Sequence, residues 1–119
     1  MRTFVIIIAS LLLTAVGIGA AQAHAFLDHA SPLVGSTMPT APRQLTLWFS
    51  QDLEPAFSTV SVTGPNGARV DAGKPQISGT TMRVALRPSG QGTYQVHWRV
   101  LSVDTHTTEG NFTFHVGGR

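Results

Sequence analysis

After residue 24, apolar and polar positions alternate with period two over much of the chain, the repeat of an extended strand whose faces meet different surroundings. Leu45, Leu47 and Phe49 alternate with Thr46, Trp48 and Ser50, and Val60 and Val62 with Thr59, Ser61 and Thr63. Met82, Val84 and Leu86 alternate with Arg83, Ala85 and Arg87. Further on, Tyr94, Val96, Trp98 and Val100 alternate with Gln95, His97 and Arg99, and Phe112, Phe114 and Val116 with Thr113 and His115. A half-buried strand is predicted at each run. Between them lie turn sequences: Gly64-Pro65-Asn66-Gly67, Ala72-Gly73-Lys74-Pro75, Ser78-Gly79 and Pro88-Ser89-Gly90-Gln91-Gly92. With weaker segments at Ala25 to Ala30 and at Val70, about seven short strands follow, the count of a single all-β Greek-key sandwich or barrel. Tyr94 opens its strand just after a Pro/Gly turn and fits the tyrosine corner of such folds. Trp98 falls on the apolar phase and reads as core, whereas Trp48 falls on the polar phase, where a barrel rim can cover it.

The first 23 residues follow another logic. Sixteen of them are apolar, Arg2 precedes a 14-residue apolar stretch from Val5 to Ile18, and Ala21-Gln22-Ala23 has the form that signal peptidase accepts. A run of 14 is short of the roughly 20 residues that span a bilayer. Residues 1–23 are therefore read as a signal peptide, and residues 24–119 as one exported domain, periplasmic and without a membrane span. All seven prolines and ten of the 12 glycines fall in that domain, which excludes a long helical bundle. With no cysteine there is no disulfide, and the domain must stand on its core.

A chain that is 42% hydrophobic and 12% charged is neither disordered nor a polyelectrolyte. From residue 24 onward there are seven Lys and Arg against six Asp and Glu. Arg69, Lys74, Arg83, Arg87, Arg99 and Arg119 are scattered along the sequence, with no basic run and no interleaved aromatics, so the sequence does not signal a nucleic-acid partner and gives phosphate binding little support.

Five histidines, at 24, 29, 97, 106 and 115, are many for this length, and without cysteine a metal site here must use nitrogen and oxygen donors. Cleavage after Ala23 makes His24 the first residue, so that its α-amine and imidazole Nδ1 can close a chelate ring on one ion. An α-amine, with a reference pKa near 7.7, yields its proton to a strongly binding metal around neutral pH. Asp104 and His106 stand two apart, so in an extended segment both project to one face. Together these are two imidazoles, an amine and a carboxylate, a donor mix that favours tetragonal Cu(II) over tetrahedral zinc. His97 and His115 lie on the polar phase of two late strands and read as solvated imidazoles. His29, beside Asp28, is left out of the main site.

His24-Ala25 with Leu27, Ser31-Pro32, Gly35-Ser36, Leu47-Trp48-Phe49-Ser50, the Gly92 to Trp98 strand and Val103-Asp104-Thr105-His106 to Gly110 together resemble the CopC family of periplasmic copper-resistance proteins. The likeness covers essentially the whole mature chain. It implies a cupredoxin-like or immunoglobulin-like β-barrel that binds copper at one end, with Cu(II) held by His24 (amine and imidazole), Asp104 and His106. A CopD-type inner-membrane protein is the partner it suggests, and the mature chain is expected to be a monomer.

Three departures qualify the likeness. Some members carry a Cu(I) site in a methionine-rich loop, whereas this domain has only Met38 and Met82, and Met82 alternates with core residues. Many have an acidic residue after the Phe-Ser pair, where this chain has Gln51, with Glu54 three positions on. Some have a further histidine where this chain has Phe26. Four equatorial donors fill the square plane and leave no position for a substrate, so the expected role is sequestration or carriage of copper, not catalysis. Two other classes stay open: a metal-free immunoglobulin-like interaction module, which would show no strong copper binding, and a histidine-brace oxidative enzyme, which would release oxidised oligosaccharides from chitin or cellulose.

Overall fold

The computed structural model describes residues 24–117; the signal-peptide reading of residues 1–23 lies outside them. Eight strands follow one another: β1 (Leu27–Ser31), β2 (Thr37–Met38), β3 (Gln44–Phe49), β4 (Thr59–Thr63), β5 (Asp71–Ser78), β6 (Thr81–Leu86), β7 (Gly92–Leu101) and β8 (Thr107–Val116). They form two four-stranded sheets, ordered β1-β3-β6-β5 and β2-β8-β7-β4, with a short 3-10 turn at Pro55–Phe57 between β3 and β4. All neighbours are antiparallel except β2, which runs parallel to β8. The chain crosses repeatedly from one sheet to the other, and the expected all-β sandwich is the observed fold.

Each strongly alternating run is a strand, and its apolar phase faces inward. Leu45, Leu47, Phe49, Val62, Met82, Val84, Tyr94, Val96, Val100 and Phe114 are all buried between the sheets. Burying each such side chain is worth about 1.5–3 kcal/mol, which is what a domain with no disulfide relies on. Tyr94 does make the expected corner: its hydroxyl donates to Gly90 O at 2.6 Å and accepts from the Ser89 N–H at 2.9 Å, while its ring stacks on Phe114. Trp98 is core, edge-on to Phe49 at 5.1 Å between centroids. Trp48 lies on the outer face and is covered by His29, whose ring stacks on it at 4.3 Å.

The structure corrects the strand list in two places. β2 is two residues long, too short to show a period. β5 occupies 71–78, where Ala72 to Pro75 reads as a turn. It is the edge strand of its sheet, so a proline and a bulge are tolerated: its pairing to β6 shifts register between Ala72 and Gln76, and Gly73 has φ 83°. Of its residues Ile77 packs against the core, which is why its alternation is faint.

Candidate metal centre

At one end of the sandwich the sheets are laced together. Past β3, Leu53 bridges to Ser102 just past β7; the Glu54 N–H donates to Leu101 O at 2.8 Å and the Val103 N–H to Asp52 O at 3.0 Å. The segment leading into β1 is pinned from both sides. Phe26 N–H donates to Ser50 Oγ at 2.8 Å, Ser50 N–H donates back to Phe26 O at 2.9 Å, and the Thr108 hydroxyl of β8 donates to Ala25 O at 2.6 Å. Ala25 is fully buried, so His24 is held at this end by its neighbour.

The β7–β8 connection, Ser102 to His106, is a tight turn and not the extended segment expected from the Asp104/His106 spacing. The Thr105 N–H donates to Ser102 O at 2.8 Å and the Ser102 N–H to His106 O at 3.0 Å, and Thr105 takes the left-handed conformation with φ 74°. Ser102 is fully buried beneath the loop. Its hydroxyl donates to the Asp104 carboxylate and accepts from the His106 N–H at 3.3 Å, so one side chain sets both neighbours. That hydroxyl, and after it His106, hold the Asp104 carboxyl below the usual carboxylate range, which keeps it an anionic oxygen donor.

The turn places His106 Nδ1 3.5 Å from Asp104 Oδ1. The His24 ring stacks on the His106 ring, 4.7 Å between centroids and 20° between planes, and on Phe26 from 6.1 Å. His24, far from Asp104 and His106 in sequence, is thus brought beside the pair through His106. Yet among the described residues no three His, Asp or Glu side chains are placed so as to hold one metal ion together. Stacked imidazoles have nearly parallel ring planes, so their nitrogen lone pairs do not converge on one point. The backbone nitrogen of His24 is also an amide while Ala23 precedes it, and an amide nitrogen has no free lone pair.

The remaining histidines stand elsewhere. His29 Nδ1 lies 2.8 Å from Asp28 Oδ2 on the outer face of the first sheet. On the second sheet His97 pairs with Asn111, Nδ1 to Oδ1 2.8 Å, and His115 with Thr93, Nδ1 to Oγ1 3.0 Å; His97 is exposed, His115 is half-buried, and they do not face one another. Gln51 and Glu54 lie in the segment that crosses beside the loop, with Glu54 tied there by its backbone. Sequence reasoning missed the supporting roles of Ser102, Ser50 and Thr108, because nothing in an isolated serine or threonine marks it as a clamp.

Residues 27–117 match the family model of the CopC domain. The chain is similar to protein YobA of Escherichia coli strain K12, 35% identical over 98 residues that cover 79% of each protein. Its fold is similar to the crystal structure of CopC from Methylosinus trichosporium OB3b, with a TM-score of 0.73 and 30% identity over 79% of this chain and 94% of that one. It is similar too to PcoC, a methionine-rich copper resistance protein from Escherichia coli, with a TM-score of 0.68 and 34% identity over 79% of this chain and 99% of that one. With the family model, the sequence identity and the two-sheet β-sandwich agreeing over the same stretch, the chain belongs to the CopC family.

Proposed function

We propose that, once residues 1–23 are removed, the chain binds Cu(II) in the periplasm through the α-amine and imidazole of His24, the Asp104 carboxylate and the His106 imidazole. It serves copper resistance by sequestering or carrying the ion as cargo. The observation that carries this reading is the packing of the His24 ring on His106, itself beside Asp104, at the end where the mature N-terminus would be created. The similarity to a copper resistance protein gives the metal its identity. Two imidazole nitrogens, one amine and one carboxylate oxygen suit the tetragonal preference of Cu(II).

Proteolysis supplies the missing donor by turning an amide nitrogen into an amine. The rings then rotate out of their stack so that their nitrogens meet the ion, while Ser102 keeps the Asp104 carboxylate ionised and aimed. A filled square plane leaves no open equatorial position, which favours a binding role over a catalytic one. Met82 is fully buried in the core and Met38 lies on the short β2, so the soft sulfur donors that Cu(I) prefers are not gathered here. A CopD-type membrane protein is the receiving partner that the family suggests.

Mass spectrometry of the exported protein, followed by Cu(II) titration, tests the reading. The first residue should be His24, and the processed protein should bind one Cu(II) with an electron paramagnetic resonance spectrum of mixed nitrogen and oxygen donors. A protein with one glycine added before His24 should bind far more weakly and lose one nitrogen from that spectrum. Equal binding by both forms would refute the amine's role.

A further inference from the structure

Away from the metal end, the outer face of the first sheet carries an open groove of about 320 Å³ that the metal reading does not use. It is lined by three cations drawn from different parts of the chain: Arg43 just before β3, Lys74 of β5 and Arg83 of β6. Gln44 and Gln76 add amide donors, and Ala72 and Ala85 keep the middle shallow. The register explains the gathering. Gln44, Ala85 and Ala72 form one row across β3, β6 and β5, and Thr46, Arg83 and Gln76 the next, while the bulge between Ala72 and Gln76 puts Lys74 out of register at the sheet edge.

No Asp or Glu lines the groove. The nearest carboxylate in sequence, Asp71, is engaged by Arg69, Nε to Oδ1 2.7 Å, and by the Val62 N–H. Among the described residues, Arg43, Lys74 and Arg83 make no ion pair. Three unneutralised cations with two neutral donors suit anionic phosphate, either several charges on one small molecule or neighbouring singly charged headgroups of an anionic surface. Two of the three are arginines, whose planar forks match phosphate oxygens.

We propose that this groove binds a phosphate-bearing small anion, either a free diphosphate or the headgroup of an anionic phospholipid. The site is independent of copper, because neither His24 nor the Ser102 to His106 turn takes part in it. The contacts are solvent-exposed, so binding is weak and falls with added salt.

The copper-free protein is titrated with sodium pyrophosphate at low ionic strength and followed by amide NMR shifts. In a parallel arm it is mixed with phosphatidylglycerol or phosphatidylcholine vesicles and sedimented. Saturable shifts at residues 43–44, 72–76 and 83–85, or sedimentation with phosphatidylglycerol alone, support the site, and whichever arm responds names the source of the phosphate. The R43Q/K74Q/R83Q protein, shown folded by its circular dichroism, should bind about tenfold more weakly or worse. Arg99→Gln, which removes a cation from the other sheet, should change nothing. No response in either arm, or equal binding by the triple variant, would overturn the proposal.

Discussion

Ser102 shows how much of a binding end can rest on one small side chain. It is fully buried, its hydroxyl contacts both the Asp104 carboxylate and the His106 N–H, and its backbone closes the turn through His106 O. Ser102→Ala leaves the shape almost unchanged but removes the strongest influence holding the Asp104 carboxyl down. A support of this kind typically changes metal affinity about 10–100-fold, so Cu(II) titration of the processed variant should show a loss on that scale. Urea unfolding should show about 1 kcal/mol of lost stability, from the part-buried His106 N–H and the loop contacts. Affinity equal to the wild type would mean that the turn is held by its backbone alone. That Asp104 and His106 lie side by side is legible from their spacing. The reason offered for their proximity, alternation along a strand, was not the observed one, because the left-handed Thr105 makes a turn there.

At the scale of elements, the β7–β8 pair couples the core to the end that carries His24 and His106. Gly110 of β8 lies opposite Trp98 of β7, and a Cβ added to it would sit 2.6 Å from Trp98 Cζ2 and 2.9 Å from Cε2. The indole therefore lies flat against bare backbone, and its edge meets Phe49. Gly110→Ala forces either the ring or the strand to move, with a destabilisation of about 1–3 kcal/mol typical of overpacking. Near-ultraviolet circular dichroism should report the displaced tryptophan. Because Thr108, two residues earlier, donates to Ala25 O, a shift of β8 should also loosen the His24 segment. The strands themselves were readable wherever both faces have different surroundings, as in β3, β6, β7 and β8. β5 was not, because an edge strand with a bulge buries too little on either side to impose a period.

Across the whole molecule, the two sheets are tied at the far end by Asp71. From β5 its carboxylate accepts the Val62 N–H of β4 at 2.9 Å and both Nε and Nη2 of Arg69 at 2.7 Å. The Arg69 hydrogen bonds, outweighing the opposing effect of burial, hold this carboxyl below its ordinary value. A depressed folded-state pKa contributes stability above the unfolded value, near 3.9, and that contribution is lost as pH falls through the lower folded value. Asp71→Asn should thus lose about 1.5 kcal/mol at neutral pH, and the gap to the wild type should close below about pH 4 in chemical unfolding series. A gap that persisted in acid would assign the effect to packing. What the amino-acid sequence determined by itself is what acts locally: strand period, turn chemistry, the want of cysteine and the side-chain types at 24, 104 and 106. Only the tertiary structure decided which distant groups meet. Pairing between strands and across the sheet ends sets His24 against His106 and gathers Arg43, Lys74 and Arg83 into one groove, because register and crossovers, unlike alternation, are properties of no single segment.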